Sequence, residues 1–456
     1  MTSDSLGRPP GDIPAPAALR RGPLGFPEHA DRPAVLGELH ARPLLPLSVP
    51  RRIYHFAFMT TPEEARADRE AVVALATQRG VPPPAPDAKF HRFDFGPWAL
   101  RWEQHTEFAT YMWKTARDAD VPFARPNPLA SGEIAFKAPG QLIAAVHMCL
   151  VDAGDQPRDH AGLFHRQSLC AIQAADRTAY VATDFVADPH GFTRFLVESK
   201  GMTETRTGRL VQRVLELEIY RTLALLGLPV ARRTAPLMQR MEFELAAITR
   251  EIADKHDPKR NQELLTRLGK LAAELEAQSA ATAFRFGATR AYHDLVKSRL
   301  DLIREEQLGE NVSITAFFRR RLDPAIDTCN ALEARENRLA GQLARAADLL
   351  RTGIQFDLEQ QNRNLLRSMD RRARLQLRLQ QTVEGLSVAA ISYYVVGLVT
   401  YLAKGAQAAG GLPARLSPEV VTALAVPLTL TGVWLLVSRI RSRFHKSPGD
   451  GTQDDG

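Results

Sequence analysis

Short apolar or alternating stretches run through the first two hundred positions: Ile53–Met59, Lys89–Phe95, Trp98–His105, Phe108–Lys114, Leu142–Val151, Ser168–Ala174, Thr178–Val186 and Arg194–Glu198. Bounded by Pro, Asp and Gly, they read as β-strands. Between the first two, Thr61-Pro62-Glu63-Glu64 reads as a capped helix start, with the helix ending near Gly80. Upstream, Asp31-Arg32-Pro33 opens a short helix that Pro43 stops. Met1–Ala30, rich in Pro, Gly and Ala, has no signal-like apolar run and reads as a disordered arm.

Past Thr203 the period lengthens. Leu210–Leu228, Pro236–His256 and Gln262–Leu308 place apolar residues three and four apart, which predicts helices. Beyond Pro324 the positions Leu332, Leu343, Ile354 and Leu365 recur every eleven residues, as do Ala347, Leu358 and Met369. Eleven residues in three turns is close to the natural pitch of a straight helix, so the pattern predicts a long stalk. An ordinary helix packed on its neighbours shares it.

Two stretches then carry no charge for 19 residues each, Gly385–Ala403 and Val420–Ser438. At 1.5 Å per residue each is about 28 Å long, the thickness of a hydrocarbon core. Arg363, Arg367, Arg371, Arg372, Arg374 and Arg378 precede the first, and Arg439, Arg441, Arg443 and Lys446 follow the second. The intervening loop holds only Lys404 and Arg415. The positive-inside rule places both ends in the cytoplasm. The expected fold is an α+β cytoplasmic domain followed by an all-α stalk and a C-terminal two-helix transmembrane hairpin. Its boundaries are an arm at 1–30, the α+β domain at 31–202, the helical domain and stalk at 203–382, the hairpin at 383–438 and a basic cytoplasmic tail at 439–456.

The 456 residues are 45% hydrophobic and 24% charged, average for a globular chain, and they carry a net charge of +7. The basic surplus is explained by lipid headgroups at Arg371, Arg372, Arg374, Arg378, Arg439, Arg441, Arg443 and Lys446. With no zinc-finger spacing and no basic-aromatic patch, nucleic acid is not an expected partner. Three widely separated cysteines, Cys149, Cys170 and Cys329, suit reduced thiols and exclude a disulfide scaffold.

Catalytic motifs are not found: there is no GxxxxGK[ST], strand-linked GxGxxG, HExxH or GxSxG. No cofactor, metal or catalytic residue is therefore expected. Binding candidates are Glu38, His40 and Arg42, in which Glu38 and Arg42 have the spacing of a helical ion pair. A second group is Glu103, His105 and Glu107, which alternate along a strand and would share a face able to hold a cation or polar ligand. A salt-bridged sheet surface explains that group as well. Asp152, Asp155, Asp159 and His160 read as an oxygen-rich cation loop or a solvated one. In the spans no residue is ionisable. Ser387, Tyr394 and Tyr401 recur every seven residues near Gly397, while Pro427, Thr429 and Thr431 loosen the second span. These form a helix-packing face or line a water-filled path.

The runs ELHARP (Glu38–Pro43), RWEQHTEF (Arg101–Phe108), RRLDPAIDTC (Arg320–Cys329) and LRLQQTVEGLSVAAISYYVVGLVTYLAKG (Leu377–Gly405) resemble a bacterial family of uncharacterised membrane-anchored proteins, a domain of unknown function. The resemblance implies the bacterial inner membrane and brings no activity or catalytic residue. The order of elements is also similar to that of CorA-type magnesium channels, which carry a Gly-Met-Asn motif after the first span. Here Leu402-Ala403-Lys404-Gly405-Ala406-Gln407 lacks that motif and sets a positive charge at the mouth. Two functions are expected from these patterns. One is a non-enzymatic membrane-anchored homo-oligomer that presents a cytoplasmic ligand- or protein-binding domain. The alternative is a CorA-like oligomeric cation channel or transporter gated by that domain.

Overall fold

A computed structural model describes residues 46–86, 88–115, 121–123, 128–153, 162–254, 258–408 and 418–444, with isolated positions between 26 and 36. Apart from those positions, the expected arm and first short helix lie outside the described residues, as does the tail beyond 444. Two compact units divide the chain, one of 1–255 with 264–347 and the other of 256–263 with 348–456. The division does not follow the change of pattern at 202/203, because the helix after that point packs on the sheet.

In the first unit, strands β1 (Arg51–Met59), β2 (Phe90–Asp94), β3 (Trp98–Gln104), β4 (Phe108–Thr115), β5 (Gln141–Asp152), β6 (Cys170–Ala174), β7 (Ala179–Ala187), β8 (Thr193–Ser199) and β9 (Glu306–Gln307) form one sheet. Its order is β2-β3-β4-β1-β5-β8-β7-β6-β9. Neighbours run antiparallel except β5 and β8, which run parallel from Val146↔Thr193 to Asp152↔Ser199. Both faces are covered, which is why β4 is buried along all eight residues and reads as a near-continuous apolar run.

On one face Tyr54, Phe56, Leu100, Trp102, Tyr111 and Trp113 pack under helix α1 (Pro62–Arg79) through its Val72, Leu75 and Ala76. The sequence specifies both ends of α1. Thr61 caps it reciprocally with Glu64: the Glu64 N–H donates to Thr61 Oγ1 at 3.2 Å and the Thr61 N–H donates to Glu64 Oε2 at 2.9 Å. Gly80 closes it at φ 68°, a conformation that costs a residue without Cβ little. On the opposite face Ile53, Met112, Val146, Met148, Phe195 and Val197 pack with Leu210, Val211 and Val214 of α2 (Glu204–Leu225).

Further helices are α3 (Gly227–Asp254), α4 (Pro258–Ile303), α5 (Ile314–Arg321), α6 (Asp323–Ala408) and α7 (Pro418–Phe444). Three boundaries differ from the periodic reading. The stretch expected as one helix, Leu210–Leu228, breaks at Leu226, where Gly227 opens α3. A Cβ at Gly227 would collide with the Thr289 hydroxyl and lie 3.1 Å from Cys329 Sγ, so the close approach requires glycine. Pro236, read as a helix start, lies inside α3, whose buried Ala231, Met238 and Met241 hold it across the missing hydrogen bond. The helix expected to reach Leu308 stops at Ile303, because Glu306 and Gln307 pair with Gln173 and Ile172 on the sheet edge.

Helix α6 is a single element of 86 residues containing both the stalk pattern and the first apolar span. Its eleven-residue repeat divides in two: Leu332 and Leu343 are buried, whereas Leu358, Leu365 and Met369 are exposed. Within the first unit, α6 is tied to α3 by Arg335, which donates to both Glu242 oxygens at 2.5 Å. It is tied to α4 by the ion pair of Glu333 with Arg290.

Candidate functional site

The β3–β4 hairpin separates the alternating group proposed from sequence. Strand β3 ends at Gln104, so Glu107 lies in the turn rather than on the strand. Arg101 Nε donates to Glu103 Oε1 at 2.6 Å, and His105 Nε2 lies 3.7 Å from Glu103 Oε2. Glu107 instead accepts from Arg285 Nη2 of α4 at 2.8 Å. Burial alone would raise the Glu103 carboxyl, but His105 and Arg101 outweigh it and hold it at about 2. Beside it, burial lowers His55 to about 4 against the pull of Glu103. His55, Arg101, Glu103, Thr110, Gln212 and Glu216 line a cavity of about 40 Å³ between sheet and α2. Space of that size suits a few waters, and His55 Nδ1 and Gln212 Oε1, which no protein group satisfies, would bind them. Glu103 therefore belongs to an internal polar network with Arg101 and His105 beside this small cavity.

A second polar group, on the α1 face, was missed in the sequence. The registers Tyr54↔His147, Arg52↔Cys149 and His147↔Arg194 set these five side chains together across β1, β5 and β8. The Tyr54 and His147 rings stack at 4.3 Å, and Cys149 Sγ lies 3.8 Å from His147 Nε2. Arg194 lies over the rings of Phe123 and Phe164 at 5.3 and 5.7 Å. Burial, helped by Arg52, lowers His147 to about 4, so its imidazole is neutral at pH 7. Burial raises Tyr54 to about 12. His147 and Cys149 two apart on a strand was the legible signal; their neighbours on β1 and β8 depend on register.

Room for a ligand lies beside α1, between its flank and the segment 135–137. Ala71, Val72, Ala74, Leu75 and Gln78 form one wall of a cleft of about 430 Å³, Ala135–Lys137 form the other, and Tyr111 lies at its floor. This volume falls in the range of small-molecule sites, and the lining is mainly apolar, with Gln78 and Lys137 as exposed polar residues. The floor is fixed from beneath by Asp68. This fully buried carboxylate accepts from Trp102 Nε1 at 2.8 Å and from the Tyr111 hydroxyl at 2.5 Å. Burial raises Asp68, the two hydrogen bonds opposing it. Among the described residues no cluster of His, Cys, Asp and Glu is arranged to hold a metal ion.

In the second unit, α6 and α7 each contain a helix long and apolar enough to cross a membrane. Within Gly385–Ala403 only Ser392 and Ala403 are buried, and within Glu419–Val437 no residue is. The two spans touch where the Thr400 and Thr422 hydroxyls meet at 3.2 Å. Ser392, Val396, Val399, Thr400 and Ala403 lose exposure on that side of α6; Val421, Thr422, Ala425, Thr429 and Val433 do so on α7. Ser387, Tyr394 and Tyr401 are exposed, the tyrosines at 72% and 79%, and Gly397 is half-buried, so this stripe faces away from the partner span. Pro427 lies inside α7, and Thr431 and Thr429 return their hydroxyls to the Pro427 and Ala425 carbonyls.

Of the basic residues, Arg371, Arg372, Arg374, Arg378 and Arg439 are exposed, and Arg374 reaches Asp370 at 2.7 Å. The side chains of Arg441 and Arg443, and Lys446 and Arg415 altogether, lie outside the described residues. So do Glu38, His40 and Arg42, and Asp155, Asp159 and His160 of the acidic loop.

A family model described as "Protein of unknown function (DUF3422)" matches residues 27–444. No curated protein and no solved structure matches the chain.

Proposed function

We propose, from the premise that the chain belongs to the DUF3422 family of proteins of unknown function, that it is a non-enzymatic protein anchored in the bacterial inner membrane with both ends in the cytoplasm. There it presents its sheet-bearing unit to a ligand. The single observation that carries the anchor is the exposure of the apolar side chains of Gly385–Ala403 and Val420–Val437 everywhere but along the seam between the two helices. A water-soluble fold would leave that surface in contact with water, and a bilayer removes it. The arginines flanking both spans support the orientation. Resistance to alkaline carbonate extraction tests the anchor. Reporter fusions active outside the cytoplasm only between 404 and 417 test the topology.

The ligand reading is supported by the cleft beside α1, whose apolar walls and Lys137 suit an amphiphile with an anionic head. Phe136, which lines the cleft, lies 5.7 Å from the Trp113 ring, so a brominated fatty acid in the cleft quenches tryptophan fluorescence. The expected result is saturable quenching that Ala74→Phe abolishes and Lys137→Glu weakens. Quenching that is unsaturable, or unchanged in Ala74→Phe, refutes this use of the cleft.

One observation favours a second reading. A single unbroken helix contains stalk and first span and is followed by a second span, an order similar to that of CorA-type channels. On that reading the exposed Ser387, Tyr394 and Tyr401 line a cation path between copies. Proteoliposomes impermeable across a panel of cations exclude it.

A further inference from the structure

Between the packed part of α6 and its apolar span lies a helical stretch in which every residue from Leu358 to Val383 is exposed. Leu358, Leu365, Leu366, Met369, Leu377, Leu379 and Val383 are each 54–70% exposed. At 100° per residue, these seven and Ala373 fall within an arc of about 160°, an arc that also takes in Arg372, Asn362, Gln376 and Gln380. Arg363, Arg367, Arg371, Arg374 and Arg378 fall on the opposite side, within an arc of about 80°. This stretch is amphipathic, and among the described residues nothing covers its apolar side.

We infer that the apolar side of Leu358–Val383 is an interface with a second copy of this chain, the two stalks running parallel and in register. Three features identify the occupant. The first is direction: α6 passes without an internal proline from this stretch into the span, so a helix inserted by that span cannot also lie flat on the bilayer. At 1.5 Å per residue Leu358–Met369 stands about 24 Å or more from the start of the span, beyond the headgroups that the arginines nearer the span reach, and a second inserted copy brings an identical stripe at the same height and polarity.

The second feature is period. Leu358 and Met369, like Ile354 and Leu365, lie eleven residues apart, and an eleven-residue repeat keeps a seam on one side of a nearly straight helix; the next positions of the two series are Gln380 and Gln376, so the apolar part of the seam runs from Ile354 to Met369. Like helices with such a seam pair over Ile354–Met369, and Arg363, Arg367, Arg371, Arg374 and Arg378 of each then face solvent.

Area is the third. Seven half-exposed or better side chains offer on the order of 700 Å² per copy, close to the roughly 800 Å² per partner of a stable protein interface. An ordinary globular surface has no need of so long an uncovered stripe.

The inference rests on the anchored reading, and its test separates the two. Leu358→Cys, Met369→Cys and, on the opposite side, Arg367→Cys and Arg378→Cys are made in the full chain and oxidised with copper phenanthroline in native membranes. Cys149, Cys170 and Cys329 are buried, so the parent supplies a silent background. Like-to-like disulfides form at 358 and 369 at least tenfold more than at 367 and 378, and Leu365→Lys with Met369→Lys abolishes the bond at 358. Equal or absent cross-linking on the two sides, with the chain still resistant to carbonate extraction, overturns the self-interface alone. Cysteines at 358 and 369 that stay monomeric yet are shielded from a water-soluble maleimide make lipid the occupant and overturn it too. Loss of the chain from the membrane fraction refutes the anchor instead.

Discussion

Replacing Asp68 with alanine isolates the support beneath the cleft. Asp68 is fully buried on α1 and accepts from two buried donors, Trp102 Nε1 at 2.8 Å and the Tyr111 hydroxyl at 2.5 Å. Alanine leaves both donors without an acceptor, at about 1–3 kcal/mol for each. It also relieves the cost of burying a carboxyl, which opposes that loss. The net destabilisation expected is about 2–4 kcal/mol. Asp68→Asn keeps an acceptor for Trp102 and offers an amide hydrogen to the Tyr111 oxygen but leaves the Tyr111 hydroxyl hydrogen without its acceptor, so its expected cost is about 1 kcal/mol, smaller than that of alanine. Urea unfolding of the detergent-solubilised chain, followed by tryptophan fluorescence, measures both. Because burial holds Asp68 above its ordinary value of 3.8, folding favours the protonated form. The stability that Asp68 gains over Asn is fully present below 3.8 and is lost as pH rises through the higher folded-state value. Equal losses for the two variants, or a loss below about 1 kcal/mol for alanine, would refute the hydrogen-bond argument.

Gly227→Ala drives a methyl into Thr289 and Cys329 and is expected to cost about 1–3 kcal/mol, read as a lower thermal midpoint; Thr289→Ala with Gly227→Ala, which removes the hydroxyl in its way, recovers part of it. His55 and His147 are both lowered by burial to about 4. Their contribution is therefore fully present above the ordinary value of 6.5 and lost as pH falls towards 4, up to about 3 kcal/mol each. His147→Phe, which preserves the stack on Tyr54, should flatten that acid limb, and an unchanged limb in urea midpoints between pH 7 and pH 4.5 would show that the imidazole is not the titrating group.

Local chemistry made much of the fold readable. The Thr61 and Gly80 ends of α1, the strands from β1 to β8 and the two charge-free spans depend on neighbours within a few residues, and the sequence displays those directly. The misread boundaries all involve distant partners. Gly227 is set by Thr289 and Cys329, Pro236 by the packing of α3, and the end of α4 by the edge of β6. At the site the same division holds. The alternation of Glu103 and His105 was visible, but Glu107 was lost to a turn and to Arg285, 178 residues away.

By itself, the sequence determined where strands, helices and apolar spans lie, because periodicity, capping residues and the absence of charge act over a few residues. Only the tertiary structure decided which side chains meet. Register joined Arg52, Tyr54, His147, Cys149 and Arg194 across three strands, and helix packing separated the buried half of the eleven-residue repeat from the exposed half. A buried carboxylate or an uncovered leucine acquires its energetic meaning from what surrounds it, and those neighbours are distant along the chain.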